Sequence, residues 1–500
     1  MNRFPINFVI FLSCSIIFCC TCSKPDESYT PTKIAVLPFA SVNKDSLYQH
    51  IGNGLTYDLI SRLSCQRELS IRSYGTVKNV KIQGLKLPEL GNQLDIEYLI
   101  EGKYKIDHDS LKLDLELTRF PEGDIISTMN FKVSMESLSS MPIIVSRKIV
   151  SEISKKFRLA SVGNASSYAS SNSDAYQLYL KAVATDPKNT GDWIDCIKLL
   201  EQSLEKDSMF GPAWTYLGHS YLEYSGLMGG EAGYYSRAEE CLVRALELNE
   251  ESPDATYYLA SLYAKTGRSE SSLELFSSGT MKYPGYSPFL LGLGYINRYA
   301  GKMKESTEAY QRSQILDSSL TNLVNSQMQI LKSQIYMGNY AAARLSFEEV
   351  CTNLNALGKQ PDEKQLFYAG VIHMYMKDTL MAIQLFDSAL VVDPVSVWTK
   401  FGQAYKAALT GNEVGLADLI HSLESRDIVD GERRYRMVHF YTLGGNYKKA
   451  LEHLEHSVNG GFFNYPYIVN DPLTINLRET ERFKDISGAA YSRYVNFPEG

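Results

Sequence analysis

The sequence predicts an α+β domain at residues 33–159, followed by an all-α superhelical solenoid at residues 174–459. In the first region, apolar strand-like runs are mixed with helical segments, and the leucines of residues 111–117 alternate with polar residues. Such alternation is typical of a sheet with one solvated face. In the second region, small or apolar residues return every 34 to 39 positions. This period indicates stacked helical hairpins.

The composition is that of a globular protein with a slight excess of negative charge. The chain has 500 residues, of which 44% are hydrophobic and 21% are charged, and 50 basic against 57 acidic residues give a net charge of −7. The length favours more than one domain. Because the chain has no excess of basic residues to neutralise phosphates, we expect no nucleic-acid partner.

Residues 1–22 are predicted to be a signal peptide, since Arg3 precedes an apolar run that is followed by small residues. That run is shorter than the roughly 20 residues of a transmembrane helix. The crowded cysteines resemble a bacterial lipoprotein signal. The resemblance implies acylation of Cys22, with Cys20 or plain secretion as the alternatives, and an outer-membrane lipoprotein that faces the periplasm.

The elements of the first region follow from short-range patterns. The run KIAVLPFA is predicted to be a buried strand that Pro38 ends, and apolar residues at helical spacing predict a helix within residues 47–64. The further elements are a strand at 68–73, a helical turn at 87–94, a meander of strands at 96–106, 110–120 and 124–133, and a helix at 142–157.

These segments resemble a known domain. The run at residues 35–39 (AVLPF), Gly54-Leu55 and Glu101-Gly102 are similar to the domain related to the amino-terminal domain of the translocation protein TolB. The resemblance covers nearly all of residues 33–158, although Lys103 stands where that family more often has Ser. It implies an α+β fold and, in bacterial proteins, a following array of tetratricopeptide repeats.

The second region begins after a Ser-rich linker at residues 160–173. The recurring small or apolar residues are Ala260, Gly294, Leu331, Gly370, Ala404 and Val438. Seven residues later stands a glycine, except for Lys377, and sixteen residues later stands a bulky side chain. The glycines predict the turn between the two helices of each pair, and the bulky residues predict packing between those helices.

One segment carries the clearest family signature. Trp214, Leu217, Gly218 and Tyr221 have the spacing W-x₂-L-G-x₂-Y, which resembles the tetratricopeptide (TPR) repeat. The matching residues of the second helix come later in the sequence than the repeat period predicts, so residues 225–233 are expected to form an inserted loop. The total is about eight helical hairpins.

The C-terminal segment 460–490 is predicted to cap the solenoid. Asp471-Pro472, Arg478 and Phe483 resemble the short segment that closes many proteins with this pair of domains. A repeat array exposes apolar surface at its open end, so a polar cap is expected there.

No motif in the sequence predicts an enzyme, a cofactor or a metal site. His453 and His456 are three residues apart, whereas the zinc-binding histidines of H-E-x-x-H are four apart. We therefore interpret the segment LEHLEH as a solvated helix face. The scattered cysteines 65, 196, 241 and 351 show no metal or disulfide spacing.

The first helices of the repeats carry aromatic, Met and cationic residues at offsets that face the inner groove in TPR proteins. The candidate groove residues are His219, Tyr257, Tyr295, Arg298, Lys332, Phe367, Met374, Tyr435 and His439. Such side chains are typical anchors for a bound peptide. The sequence thus predicts a non-enzymatic, exported scaffold or adaptor that binds a protein or peptide partner and that could regulate an envelope complex. The alternative is a periplasmic accessory protein for small-ligand sensing or transport.

Overall fold

The computed structural model describes residues 30–43, 48–81, 87–157, 170–185, 187, 190–228, 232–426 and 428–498. The predicted signal peptide with Cys20 and Cys22, and most of the predicted linker, lie outside these residues. From Pro31 onward the described chain forms one compact unit. No helix in the described ranges is both long and apolar enough to cross a membrane.

The described part of the first region contains one mixed sheet. Its strands are β1 (Thr32–Val36), β2 (Ala40–Ser41), β3 (Leu69–Ile71), β4 (Tyr98–Asp107), β5 (Ser110–Arg119) and β6 (Asp124–Ser134). The order is β3-β1-β4-β5-β6, and β2 pairs with β4. Strand β1 is parallel to β3 and β4, whereas β4, β5 and β6 are antiparallel neighbours. The alternating leucines of β5 are all buried, as the sequence predicts.

Four helices accompany this sheet: α1 (Gln49–Ser64), α2 (Tyr74–Lys81), α3 (Leu87–Leu94) and α4 (Met141–Phe157). Helix α1 contacts α4, β2 and β3. It approaches the sheet closely because Gly52 lacks a side chain; a Cβ there would lie 2.4 Å from the carbonyl oxygen of Phe39. Helix α2 is not among the predicted elements, since Gly75, Thr76 and Val77 are weak helix formers.

The second region consists of antiparallel helix pairs, of which the described residues contain eight. In chain order the pairs are α5 (Ser173–Ala184) with α6 (Thr190–Lys206), α7 (Gly211–Met228) with α8 (Ala232–Leu248), α9 (Pro253–Lys265) with α10 (Ser269–Lys282), α11 (Pro288–Ala300) with α12 (Met303–Leu316), α13 (Leu320–Tyr336) with α14 (Tyr340–Ala356), α15 (Glu363–Tyr375) with α16 (Thr379–Val392), α17 (Val397–Leu409) with α18 (Glu413–Glu424), and α19 (Gly431–Leu443) with α20 (Tyr447–Asn459). First helices from α7 to α19 also contact the next first helix, so they line the inner face. The predicted fold class, an α+β region followed by a helical solenoid, is confirmed.

The repeat period has a packing cause. A Cβ on Gly294 would lie 2.3 Å from the ring of Tyr310, and one on Gly370 would lie 2.4 Å from the ring of Phe386. Each of these rings comes from the second helix of the same pair. The small residue therefore leaves the space that the bulky residue sixteen positions later fills, as the sequence predicts.

The turn within a pair requires a left-handed backbone conformation. The predicted turn glycines Gly267, Gly301, Gly338, Gly411 and Gly445 have φ between 69° and 84°. Lys377, which replaces glycine in the sixth pair, adopts the same conformation with φ of 64°. Since side chains with a Cβ disfavour this conformation, the period of glycines follows from the turn.

The expected loop at residues 225–233 is wrong at both ends, since α8 already begins at Ala232. Helix α7 continues through Ser225 to Met228, and Ser225 is buried. The prediction placed the end of the helix at the usual repeat length, whereas here α7 is extended by about one turn.

The α+β region packs directly against the helical array. Tyr176 on α5 donates its hydroxyl to Asp58 on α1 over 2.8 Å, and Ser61 donates to Asp254 at the start of α9 over 2.6 Å. Nε of Arg72 lies 3.4 Å from Oδ1 of Asp317, just before α13. These contacts join the sheet region to the edge where the first helices begin.

The C-terminal segment forms α21 (Tyr465–Asn470), a short 3₁₀ helix (Pro472–Leu477) and α22 (Glu481–Asn496). Helix α22 packs on α20, the last helix of the array. Residues 462–471 lie instead on the inner face, where Phe462, Phe463 and Asn464 are fully buried. The segment predicted as a polar cap thus also fills part of the groove with apolar side chains.

Candidate functional site

The candidate groove residues all lie on first helices. His219 is on α7, Tyr257 on α9, Tyr295 and Arg298 on α11, Lys332 on α13, Phe367 and Met374 on α15, and Tyr435 and His439 on α19. They do not form one open surface. Arg298, Lys332, Phe367, Tyr435 and His439 are buried, whereas the other four are partly exposed.

The N-terminal part of α19 covers the first of these residues. Glu432 accepts hydrogen bonds from the guanidinium of Arg298 and from the hydroxyl of Tyr336. Asp430, just before α19, accepts from the hydroxyl of Tyr299 over 3.0 Å. Burial alone would raise the pKa of Glu432, but Arg298 and other cations outweigh it and hold the pKa at about 2. These hydrogen bonds therefore join the start of α19 to α11 and α13 across the inner face.

The C-terminal segment covers Tyr435 and His439; the ring centroid of Tyr435 lies 5.3 Å from those of Phe462 and Tyr467. Nδ2 of Asn464 donates to the carbonyl oxygen of Arg298 over 3.1 Å. Asp471 lies 2.6 Å from His439 and accepts from the hydroxyl of Tyr375 over 3.1 Å. In these places the chain itself occupies the surface that the sequence analysis assigned to a partner.

One part of the inner face remains open, as a cavity of about 280 Å³ between α7, α9, α11 and α13. The cavity is lined by Leu222, Glu223, Tyr257, Tyr258, Ser261, Lys265, Phe276, Leu291, Gly292, Tyr295, Asn325 and Gln329. Two candidate residues, Tyr257 and Tyr295, are among them. A third, His219, stacks on Tyr258 with ring centroids 4.2 Å apart. We call this space the tyrosine cavity.

The tyrosine cavity contains charged side chains as well as rings. Burial alone would raise the pKa of Glu223, but the positive charges of Lys265, Lys364 and Arg433 outweigh it, and the pKa lies below its usual value. Burial lowers the pKa of His219 and raises that of Tyr257. Glu223 is therefore an anion at neutral pH, beside an amine and three neutral tyrosines. This arrangement can hold a ligand that has both an apolar and a charged part.

Several charged residues of the inner face are absent from the set that the sequence predicts. Glu432, Arg433 and Arg436 lie within one turn of the candidates Tyr435 and His439. The run GERRYRM at the start of a first helix is the sequence signal that could have revealed them. It is densely charged, whereas the other first helices are mostly apolar. Asp471 was noted only for its family resemblance, because its partner His439 is distant in sequence.

The segment LEHLEH is only half solvated. Glu455 and His456 are exposed, but His453 is buried and stacks on Tyr441 with centroids 5.1 Å apart. Burial lowers the pKa of His453 to about 4. The interpretation of a solvated face is therefore wrong for His453, because α20 turns that side chain toward α19. In the described residues no group of three His, Cys, Asp or Glu is placed to hold a metal ion.

Comparisons with known proteins yield weak similarities. No protein-family model and no curated protein matches the sequence. The chain is similar to a thermophilic TPR protein of Thermus thermophilus, with 17% identity and a TM-score of 0.32 over 37% of this chain and 92% of that one. Yeast Tom70 has 14% identity and a TM-score of 0.37 over 72% and 74% of the two chains. The APC/C hetero-tetramer Cut9-Hcn1 has 14% identity and a TM-score of 0.40, over 70% of this chain and 59% of that one. The repeat architecture of this chain rests on its own helix pairs and sequence period.

Proposed function

We propose that this protein is a non-enzymatic scaffold or adaptor that binds a partner protein or peptide in the tyrosine cavity. One observation carries the proposal: five of the nine candidate groove residues are buried, yet three tyrosines remain accessible around an open space. Tyrosine side chains bury large areas on binding at a small entropic cost. The mechanism is noncovalent, and the rigid helix pairs position the rings.

The proposal includes export and attachment to a membrane. The predicted signal peptide would direct the chain out of the cytoplasm, and acylated Cys22 would anchor it to the outer membrane, with the folded part in the periplasm. Labelling with a fatty-acid analogue tests this anchor. We expect label on the wild type and on Cys20→Ser, and none on Cys22→Ser. Label that persists in Cys22→Ser but disappears in Cys20→Ser would move the anchor to Cys20.

Site-specific photo-cross-linking tests the binding site. Asn325 is exposed and lines the tyrosine cavity, whereas Asn355 is exposed on α14, a second helix. With a benzophenone amino acid at position 325, we expect a protein adduct after irradiation of intact cells. The same group at position 355 is the matched control and should give none. Adducts of equal yield at both positions would contradict binding in the cavity.

A blocking variant completes this test. Ser261 lines the tyrosine cavity, so the substitution Ser261→Trp should fill part of it and reduce the adduct at position 325. Circular dichroism and the thermal midpoint confirm that the fold is retained.

Small-ligand sensing is the second candidate, and the size of the cavity favours it. A volume of about 280 Å³ is close to the lower end of ligand pockets, which is about 300 Å³. Native mass spectrometry of the purified protein distinguishes the two functions. A bound small molecule that Ser261→Trp displaces, together with no protein adduct at position 325, would support sensing in place of the adaptor.

A further inference from the structure

Strand β6 forms an open edge of the sheet. It is the last strand in the order β3-β1-β4-β5-β6, and in the described part of the chain no strand pairs with its outer side. The opposite edge is covered, since a Cβ on Gly285, in the loop before α11, would lie 2.0 Å from the carbonyl oxygen of Leu69 on β3. With 11 residues, β6 is about twice as long as an average strand. A long open edge is a template for pairing with another chain.

The backbone of β6 presents polar groups along this edge. Met135 donates its backbone N–H to the carbonyl oxygen of Asp109 over 2.7 Å. In an antiparallel ladder such bonds recur at every second residue, so the odd-numbered residues within 127–133 bond to β5. The even-numbered residues between them direct their N–H and C=O groups away from the sheet. These residues are Thr128, Asn130 and Lys132.

The hydrophobic core reaches this edge but is not closed there. Phe131 and Val133 pair with buried leucines of β5, so their side chains lie on the same face, yet both are only half-buried. The regular ladder with β5 runs from Ser134 to Ser127, where its register shifts. A further strand beside this regular part would cover both side chains.

Three lysines form a row across the solvated face of the sheet, which we call the lysine row. Lys105 on β4 stands directly opposite Lys112 on β5, which in turn stands opposite Lys132 on β6. Nζ of Lys112 lies 3.0 Å from Oδ2 of Asp107. Lys132 is exposed and forms no ion pair with a described residue. Like charges that face each other across strands are destabilising, so the row favours an anion at its open end.

A second row on the same face is acidic, and we call it the glutamate row. Glu101 on β4 stands directly opposite Glu116 on β5, and Glu116 stands opposite Thr128 on β6. Glu116 is exposed and forms no ion pair with a described residue. At the open edge the lysine row therefore ends in Lys132, and the glutamate row ends in the uncharged Thr128.

We propose that β6 pairs with β6 of a second copy of this chain, antiparallel and about a twofold axis at Asn130. In this register Thr128 of each copy stands opposite Lys132 of the other, so each glutamate row continues into a lysine row. The outward backbone groups of both strands bond across the axis. On the core face, Phe131 of each copy meets Met129 of the other. An axis at Lys132 would instead place two lysines opposite each other.

The charge rows favour a second copy over a strand of an unrelated protein. Each copy has an acidic and a basic row at the same edge, so two copies match each other twice about the axis. An extended segment without a cation opposite Thr128 would leave the glutamate row unbalanced. This inference goes beyond the proposed function, since none of the residues involved lines the tyrosine cavity.

Sedimentation velocity of the purified protein over a concentration series tests the pairing. We expect a reversible equilibrium of monomer and dimer, because an interface of one strand is small. Asn130→Pro removes the N–H at the axis, and proline is tolerated where an edge strand faces solvent, so this variant should stay folded and monomeric. Asn130→Ala keeps the N–H, and as the matched control it should dimerise like the wild type. Circular dichroism and the thermal midpoint check the fold of both variants.

Charge reversal tests the register. Lys132→Glu extends the glutamate row with a further anion and should raise the dissociation constant of the dimer about tenfold, as should Glu116→Lys for the opposite reason. The double variant should recover most of the affinity, since opposite charges again meet across the axis. Lys103→Glu makes the same change on the same face of β4, away from the edge, and should leave the dissociation constant unchanged.

Cross-linking in intact cells identifies the occupant of the edge. With a benzophenone amino acid at position 130, we expect an adduct with the mass of two copies. An adduct with a different protein would assign the edge to that protein and overturn the proposal. A wild type that sediments as a monomer throughout the series would overturn it as well, and so would a dimer that persists in Asn130→Pro. A dimer that Asn130→Pro dissociates and Lys132→Glu leaves unchanged would contradict the proposed register.

Discussion

His439 and Asp471 form a fully buried pair in which Nε2 of the imidazole lies 2.6 Å from Oδ2 of the carboxylate. Nδ1 of the same ring lies 2.5 Å from the hydroxyl of Tyr405. With that hydroxyl as donor, the network assigns a neutral imidazole whose proton is on Nε2. The pair connects α19 to the C-terminal segment and holds residues 462–471 on the inner face.

Removal of the imidazole should destabilise the protein strongly. His439→Leu leaves the carboxylate of Asp471 buried without its partner, which costs about 3–5 kcal/mol when a buried pair is broken. We expect the urea midpoint of unfolding to fall accordingly. The double variant His439→Leu with Asp471→Leu should recover a large part of the loss. If both variants unfold at the same midpoint as the wild type, the segment is not held by this pair.

The same pair predicts how stability depends on pH. Burial lowers the pKa of His439, so the folded state keeps it neutral while the unfolded chain binds a proton below about pH 6.5. The pKa of Asp471 is lowered to about 2, because His439 and hydrogen bonds outweigh the effect of burial. The free energy of unfolding should therefore fall below pH 6.5, by up to about 1.4 kcal/mol per pH unit from His439. A second loss follows between about pH 4 and 2, as Asp471 is protonated first in the unfolded chain.

Urea titrations between pH 5 and 8 measure the contribution of His439. The variant His439→Gln, which cannot titrate, is the control and should show a smaller slope with pH. An equal slope in both proteins would assign the dependence to other groups.

Two glycines distinguish the backbone requirement of a turn from the docking of the C-terminal segment. Gly301 and Gly338 have φ of 84° and 75° in equivalent turns. A Cβ on Gly301 would lie 3.0 Å from Pro466, whereas one on Gly338 would meet no atom within 4 Å. We expect Gly338→Ala to cost about 1–2 kcal/mol through its conformation alone. Gly301→Ala should cost about 1 kcal/mol more, since the segment must shift.

Denaturant unfolding of the two variants measures that difference. Deletion of residues 462–500 removes Pro466 and provides the control. In the shortened chain, provided that it folds, the two substitutions should have equal costs. Equal costs in the full chain would show that the segment does not press on Gly301.

The fold was predictable because its causes are local. The alternating leucines of β5, the turn glycines and the pairs of small and bulky residues are each set by neighbours within one element or one helix pair. Such patterns remain visible in a single sequence. One exception is the extension of α7, where Nη1 of Arg433 on α19 donates to the carbonyl oxygen of Gly226 over 2.6 Å, a contact that the repeat period does not contain.

The site was predictable only in part, because burial of the inner face depends on distant contacts. The position of each candidate within its repeat correctly placed it on a first helix. That position does not show which residues from other parts of the chain pack against the candidate across the inner face. Arg298 is covered by Glu432, which is 134 residues away in sequence. The sequence therefore indicated which residues face inward, and the structure was needed to separate the filled part of the groove from the open cavity.

Lys377 allows the requirement for glycine in the turn to be tested by a substitution that should stabilise the protein. It occupies the turn position with φ of 64°, where the other repeats from α9 onward have glycine. Lys377→Gly should remove a conformational cost of about 1–2 kcal/mol and add back a smaller entropic cost, for a net stabilisation of about 0.5–1 kcal/mol. Lys377→Ala is the matched control and should not stabilise. A lower thermal midpoint for Lys377→Gly would show that the lysine side chain itself contributes to the fold.

The ion pair across the inner face should show strong coupling in a double-mutant cycle. Arg298 and Glu432 are both buried, so Glu432→Gln leaves an uncompensated guanidinium and should cost about 3–5 kcal/mol. Arg298→Met should cost a similar amount, because it leaves the carboxylate among Tyr336 and Tyr299 without its strongest cation. The double variant should cost clearly less than the sum, since neither charge is then left alone. Unfolding free energies of the four proteins give the coupling directly. Strict additivity would mean that α11 and α19 are held together by the surrounding rings, and that this pair contributes only to the charge of the groove.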